Sequence, residues 1–269
     1  MGCLVMGIVN VTPDSFSDGG RYLAADAAIA HALALRAQGA ALLDIGGEST
    51  RPGAQRVDPA EERGRVLPVI RALAGEGAVI SIDTMNASTA VAAVESGARI
   101  VNDVSGGLAD PAMLAAVAAT DADIVLQHWR GHSTDMYAGA VYDDIVEEVV
   151  GEISRRVDAA VAAGIAPERI IVDPGIGFGK KGAQNWAVLH GMPRLAALGH
   201  RVLVGTSRKR FLGELLDGAP PTDRLEGTAA TVALAIAAGA DIVRVHDVAA
   251  TVDALDVAAQ WESGATWTS

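Results

Sequence analysis

The residues with chemistry to offer stand where short apolar runs end. Asn10 ends the first run, and Asp44 lies in the second, which leads into Gly46-Gly47-Glu48-Ser49-Thr50-Arg51-Pro52-Gly53. Asp83-Thr84 ends the third, Asn102-Asp103 precedes Ser105-Gly106-Gly107, and Gln127-His128 ends the fifth. Asp173-Pro174-Gly175, Ser207-Arg208-Lys209-Arg210 and Arg244-Val245-His246-Asp247 complete the set. Asp83, Asn102 and Asp173 bring groups suited to a flat heterocycle with an amino-amide edge: a carboxylate accepts two donors side by side, and an amide gives one and accepts one. Arg51, Arg208, Lys209, Arg210, Arg244 and His246 are cationic donors of the kind that binds phosphate oxygens. Arg244 and His246, two apart on one strand, point to the same side. Arg208, Lys209 and Arg210 are consecutive and cannot all face one way. Asp44 stops short of its strand's end and is expected to partner a neighbouring backbone group or a cation.

Several chemistries are weighed against by what the chain lacks. It has no Gly-x-Ser-x-Gly elbow, no Walker loop and no Rossmann fingerprint, which disfavours hydrolase, NTPase and dehydrogenase readings. No His and Cys fall at metal-ligand spacing, and His31 and His200 lie away from the strand ends. The metal expected is an oxygen-seeking ion, Mg2+, held mostly by substrate phosphates and a group like Asn10. Gly46, Gly47, Gly53, Gly106, Gly107 and Gly175 permit close backbone approach to a ligand.

The elements that must position these groups alternate regularly. Strands are predicted over Leu4 to Val11, Ala41 to Gly46, Val79 to Asp83, Arg99 to Val104, Asp123 to His128, Arg169 to Asp173, Arg201 to Gly205 and Asp241 to His246. Several are continuous apolar runs, as in parallel strands covered on both faces. Helical spacing fills 26–38, 59–74, 87–96, 111–119, 145–163, 183–197, 223–238 and 251–262. A small-Gly-Ala turn recurs ahead of strands at Gly39-Ala40, Gly97-Ala98 and Gly239-Ala240. Eight strand–helix pairs predict a single-domain (β/α)8 barrel over residues 1–269, with its active site at the C-terminal ends of the strands. The polar segment from Thr12 to Gly20 reads as a lid after the first strand.

The 269 residues carry 21 Lys and Arg against 33 Asp and Glu, a net charge of −12, which argues against nucleic acid or an anionic membrane as partner. It does not argue against a small anion bound by local donors. Cys3 is the sole cysteine, so no intrachain disulfide forms, and a reducing cytoplasm is expected. No secretory signal is evident, and no run of about 18 apolar residues suggests a membrane span.

Seven of these runs together resemble the signatures of the dihydropteroate synthase family, in order along the chain. They are 7–20, 44–53, 81–84, 101–107, 173–178, 207–209 and 244–247. The details look closest to mycobacterial-type members. The resemblance implies condensation of 6-hydroxymethyl-7,8-dihydropterin diphosphate with para-aminobenzoate, giving dihydropteroate and diphosphate by a Mg2+-assisted, SN1-like displacement. It implies that Asp83, Asn102, Asp173, Phe178, Gly205 and Lys209 hold the pterin, and that Arg51, Arg244 and His246 hold diphosphate. Asn10 would meet Mg2+, and Asp83, Lys209 and Asn10 would carry the chemistry. Thr50, Pro52, Phe178, Ser207, Arg208 and Lys209 would lie near para-aminobenzoate, where sulfonamides compete. The family also implies a homodimer. One position departs: Gln127 stands where many members have Met, which puts the pterin packing in doubt. Methyltetrahydrofolate-dependent methyltransferases share the fold and pterin-facing groups but have no evident use for Ser207-Arg208-Lys209 or for Arg244 with His246. A non-catalytic pterin-binding paralogue is the remaining alternative.

Overall fold

The computed structural model describes residues 2–12, 21–49, 53–132, 134 and 137–263. Strand and helix alternate from the start: β1 (Leu4–Asn10), α1 (Arg21–Ala37), β2 (Leu42–Gly46), α2 (Pro59–Gly75), β3 (Ile80–Asp83), α3 (Ala87–Glu95), β4 (Ile100–Asp103), α4 (Met113–Ala118) and β5 (Asp123–Gln127). They continue with α5 (Ile145–Ala162), β6 (Ile170–Asp173), α6 (Ala183–His190), α7 (Met192–Ala196), β7 (Arg201–Val204), α8 (Arg210–Leu215), α9 (Leu225–Ala237), β8 (Ile242–Val245) and α10 (Val248–Ser263). Each strand pairs in parallel with the next, and β8 closes onto β1, so the sheet is the predicted eight-stranded barrel.

The strands are short because few residues of each are needed to cross the barrel, and their period of two sorts side chains into two cores. Residues such as Val5, Ile45, Ile82, Val101, Val172 and Val243 face outward and are covered by the helices. Met6, Leu42, Ile100, Val125, Ile171, Leu203 and Ile242 form a separate cluster inside the barrel. Two positions further along the same faces stand Asp44, Asn102, Gln127, Asp173, Gly205 and Arg244. The apolar residues thus make a floor, and the next inward-facing layer, Ile8 and Gly205 apart, is polar.

The recurring turn is real geometry. Gly39, Gly97 and Gly239 have φ of +104°, +115° and +100°, a backbone that side chains with a Cβ rarely adopt. The helices depart from the predicted pattern in two places. The 183–197 segment breaks into α6 and α7 at Gly191, where Val146 occupies the space a Cβ would need, 2.5 Å away. Pro193 then lacks the N–H that would carry the helix on. The six-residue α8 was not expected. It starts directly after Lys209 and brings that turn against the barrel mouth.

Candidate active site

At the strand ends a cavity of about 530 Å³ is lined by Ile8, Asn10, Phe178, Ser207, Lys209, Arg244 and His246, among others. Beneath it Arg244 bridges two buried carboxylates. Its Nε donates to Asp44 Oδ2 at 2.5 Å and its Nη2 to Asp83 Oδ2 at 2.8 Å. Asp44 is thus the partner of a cation, as its place in β2 led us to expect. Asn102 Nδ2 donates to the same Asp44 oxygen at 3.1 Å. Asp44, Asp83 and Asn102 therefore form one hydrogen-bonded set centred on Arg244.

The charges in this set shape each other. Burial pushes Asp83 up to about 7; Arg244 pulls it down, while the carboxylates of Asp44, Glu62 and Asp103 push the same way as burial. Burial opposes the Arg244 charge, but Asp44 and Asp83 outweigh it and push the guanidinium up. Asp173 is also pushed up by burial, against Lys209 and a hydrogen bond from the Gly175 N–H to its Oδ1 at 2.7 Å. Burial brings Lys209 down to about 8, against the attraction of Asp173. Lys209 Nζ donates to Ile176 O and stands 4.8 Å from the centre of the Phe178 ring.

The three consecutive cations do part company. Arg208 grips Asp247 through Nε (2.9 Å) and Nη2 (2.6 Å), Lys209 enters the site, and Arg210 pairs with Glu214 at 3.1 Å. Arg208 has φ +59°, unusual for a residue with a side chain. Its backbone is held from both sides: its N–H donates to Thr228 Oγ1, and its carbonyl accepts from Arg224 Nη1. Its guanidinium therefore serves the turn that aims Lys209. Ser207 Oγ lies 3.1 Å from His246 Nδ1 and accepts from the His246 backbone N–H at 3.2 Å, joining the ends of β7 and β8. Asn10, half-buried on the cavity wall, offers one amide oxygen to a cation. Among the described residues no three or more His, Cys, Asp or Glu side chains are grouped as metal ligands. A Cβ on Gly205 would stand 3.8 Å from Lys209 Nζ and from Arg244, so its bareness leaves room between them.

Gly175 is the tightest backbone position here. Its φ is +66°, and an added Cβ would stand 2.4 Å from His128 O. Gly175→Ala should lower the folding free energy by about 2–5 kcal/mol, from the left-handed backbone and the clash together. Denaturant titration checks this, and a variant as stable as the parent would contradict it.

A model of the pterin binding enzyme family matches residues 6–246. Dihydropteroate synthase of Mycobacterium leprae is 54% identical over 263 residues, covering 96% of this chain and 93% of that protein. The chain belongs to the dihydropteroate synthase family. The Xanthomonas albilineans dihydropteroate synthase solved with 4-aminobenzoic acid superposes with a TM-score of 0.90 at 48% identity, covering 98% of this chain and 93% of that one. The same enzyme solved with 7,8-dihydropteroate gives a TM-score of 0.86 at 45% identity, with 98% and 94% covered. Against the dihydropteroate synthase pattern, Gln127 is explained by its own contacts. Its Nε2 donates to Val104 O at 3.2 Å, so the polar end of this buried side chain is turned toward the end of β4. Thr50, Arg51, Pro52 and the lid segment beyond Thr12 lie outside the described residues. Sequence reasoning missed Lys180, which is buried beside this site, along with the partners of His128. The signal available was a lysine two residues after the Asp173-to-Phe178 signature.

Proposed function

We propose that this chain catalyses dihydropteroate synthesis: the methylene carbon of 6-hydroxymethyl-7,8-dihydropterin diphosphate leaves diphosphate and bonds to the amine of para-aminobenzoate. The observation that carries it is the Arg244 bridge over Asp44 and Asp83, opening on a cavity that Lys209 and His246 also line. In the reaction a C–O bond breaks, its electron pair leaves with diphosphate, a C–N bond forms, and the amine gives up one proton. The amine is already a nucleophile, so no Ser or Cys is required.

Asp83, Asn102 and Asp173, with Gly205, Phe178 and Lys209, would receive the pterin ring. The Asp83 carboxylate would stabilise positive charge on the methylene carbon electrostatically. Arg244 and His246 would bind diphosphate oxygens, with Arg51 from the loop after β2. Arg244 Nη1 makes no hydrogen bond among the described residues and is the edge left for that role. Phe178, Ser207, Arg208 and Lys209 would flank para-aminobenzoate with Thr50 and Pro52. A neutral amide oxygen such as that of Asn10 suits a hard cation whose other ligands are substrate oxygens. Bound there, Mg2+ would neutralise charge on the leaving group.

We further read residues 1–269 as one pterin-binding barrel domain acting in the cytoplasm. The single cysteine, which leaves no intrachain disulfide, is in keeping with a reducing compartment, and no described helix is long and apolar enough to cross a membrane. A homodimer is supported by Leu234, Val257 and Trp261, exposed by 68%, 70% and 87% on the paired helices α9 and α10. The deciding experiment is turnover by purified protein. Dihydropteroate and diphosphate should form from the two substrates with Mg2+, chelation should stop the reaction, and a sulfonamide should compete with para-aminobenzoate. No product above background would overturn the assignment.

A further inference from the structure

The loop from Asp173 to α6 is folded around a buried ammonium. Lys180 is 1% exposed, and its Nζ has three acceptors for its three hydrogens: Gly175 O at 3.0 Å, Phe178 O at 3.0 Å and His128 Nδ1 at 2.9 Å. An ammonium matches this tripod donor for acceptor, whereas a neutral amine has only two N–H groups. The third contact anchors the loop to the barrel. His128 stands at the end of β5, and its other nitrogen, Nε2, lies 2.9 Å from Glu152 Oε2 on α5. An ammonium donor facing Nδ1 requires the lone pair there, which assigns the neutral imidazole with its proton on Nε2. Arg130 holds Glu152 through two nitrogens and reaches Glu148 at 2.7 Å. From the other side, Asn185 Oδ1 accepts the Gly177 N–H at 2.7 Å.

The outward groups of the same loop face the site. Ile176 O accepts from Lys209, and the Phe178 ring lies beside Lys209 Nζ. We propose that Lys180 is a positioning residue for the reaction: by tying Gly175, Phe178 and His128 together, its ammonium fixes the loop that sets Phe178 and Lys209 against the aromatic amine. This rests on the proposed function and adds a residue that acts through others.

The electrostatics agree. Burial pushes Lys180 down to about 7, Asp173 opposes it, and Lys209 and Arg130 add to it; Glu152 opposes. Burial, then Lys180, holds His128 down at about 4, and Glu152 stays ionised at about 2 because its bonds to His128 and Arg130 outweigh burial. The groups facing Lys180 are thus Asp173 on β6, Lys209 after β7, His128 and Arg130 at and beyond the end of β5, and Glu152 on α5. Loss of the Lys180 proton, favoured by this burial, would take one leg from the tripod.

The test compares wild type, Lys180→Met and Lys180→Arg in steady-state turnover, with amide hydrogen exchange of residues 175–180. Lys180→Met should raise KM for para-aminobenzoate about ten- to hundredfold, with a much smaller change in kcat, and should speed exchange at Gly177 and Phe178. In wild type kcat/KM should fall above pH 7, whereas Lys180→Arg, charged at every pH, should lose that limb and keep only a later one from Lys209. Wild-type KM and unchanged exchange in Lys180→Met would overturn the inference while leaving the proposed function standing. An inactive wild type would overturn the function, and the exchange data would still decide whether Lys180 holds the loop. Should Lys180→Met not fold, Lys180→Gln takes its place: wild-type KM with unchanged exchange overturns the inference, and a raised KM with faster exchange at Gly177 and Phe178 supports it.

Discussion

Arg244→Ala should lower the folding free energy by about 3–5 kcal/mol and cut turnover by about 10²–10³-fold. The stability loss follows from what remains. Asp44 and Asp83 are buried, and Arg244 is the cation that both carboxylates touch. Without it, one or both must take up a proton or stay charged and unpaired. The loss should therefore shrink in acid, where the carboxylates are protonated anyway. The loss of turnover has a second source in the leaving group. Calorimetric titration should show diphosphate-bearing pterin losing far more affinity than a bare pterin, and equal losses would remove Arg244 from the diphosphate role. Arg244→Lys keeps the charge but replaces the planar fork, whose separate nitrogens serve the two carboxylates, with a single nitrogen, so it should fall between the parent and the alanine variant.

The second large effect centres on Asp83 and is read against pH. Its folded value, about 7, lies above its ordinary one, so the folded chain holds this proton more tightly than the unfolded chain does. As pH rises from about 4 to about 7 the unfolded chain has already released the proton, so stability falls across that window and levels off above it. Activity should run the other way. An ionised Asp83 is the form that stabilises positive charge, so kcat/KM should climb toward pH 7. Asp83→Asn keeps the shape, removes the charge and takes a partner from Arg244. Turnover should drop about 10²–10³-fold, the climb should vanish and the stability slope should flatten. A wild-type profile with no acid limb, or an active Asp83→Asn enzyme, would be falsifying.

Much of this was legible before the fold was known. Five of the seven floor residues sit two positions before an inward polar one, as with Ile100 before Asn102, Ile171 before Asp173 and Ile242 before Arg244. That period is local and survives in the sequence. Asp44 could be paired with a cation in general terms, but naming Arg244 needed barrel closure, which brings β8 back beside β1 and so within reach of β2. The Lys180 tripod was invisible for the same reason, because its histidine lies 52 residues away and the histidine's carboxylate lies on α5. Helix α8 escaped because six residues with no side-chain cap carry almost no periodic signal. The left-handed backbone of Arg208 and its grip on Asp247 were not legible, because a residue's type discloses neither its φ nor a partner 39 residues away.

The apolar floor also governs traffic. Met6, Leu42, Ile100, Val125, Ile171, Leu203 and Ile242 seal the barrel beneath the Arg244 bridge, so this end of the site has no back door. Whatever sits deepest must arrive first, and diphosphate must depart through the same opening by which the second substrate comes in. On the proposed function, a one-ended vessel of this kind favours a queue: the pterin ring would take its place against the carboxylates before the aromatic amine entered behind it.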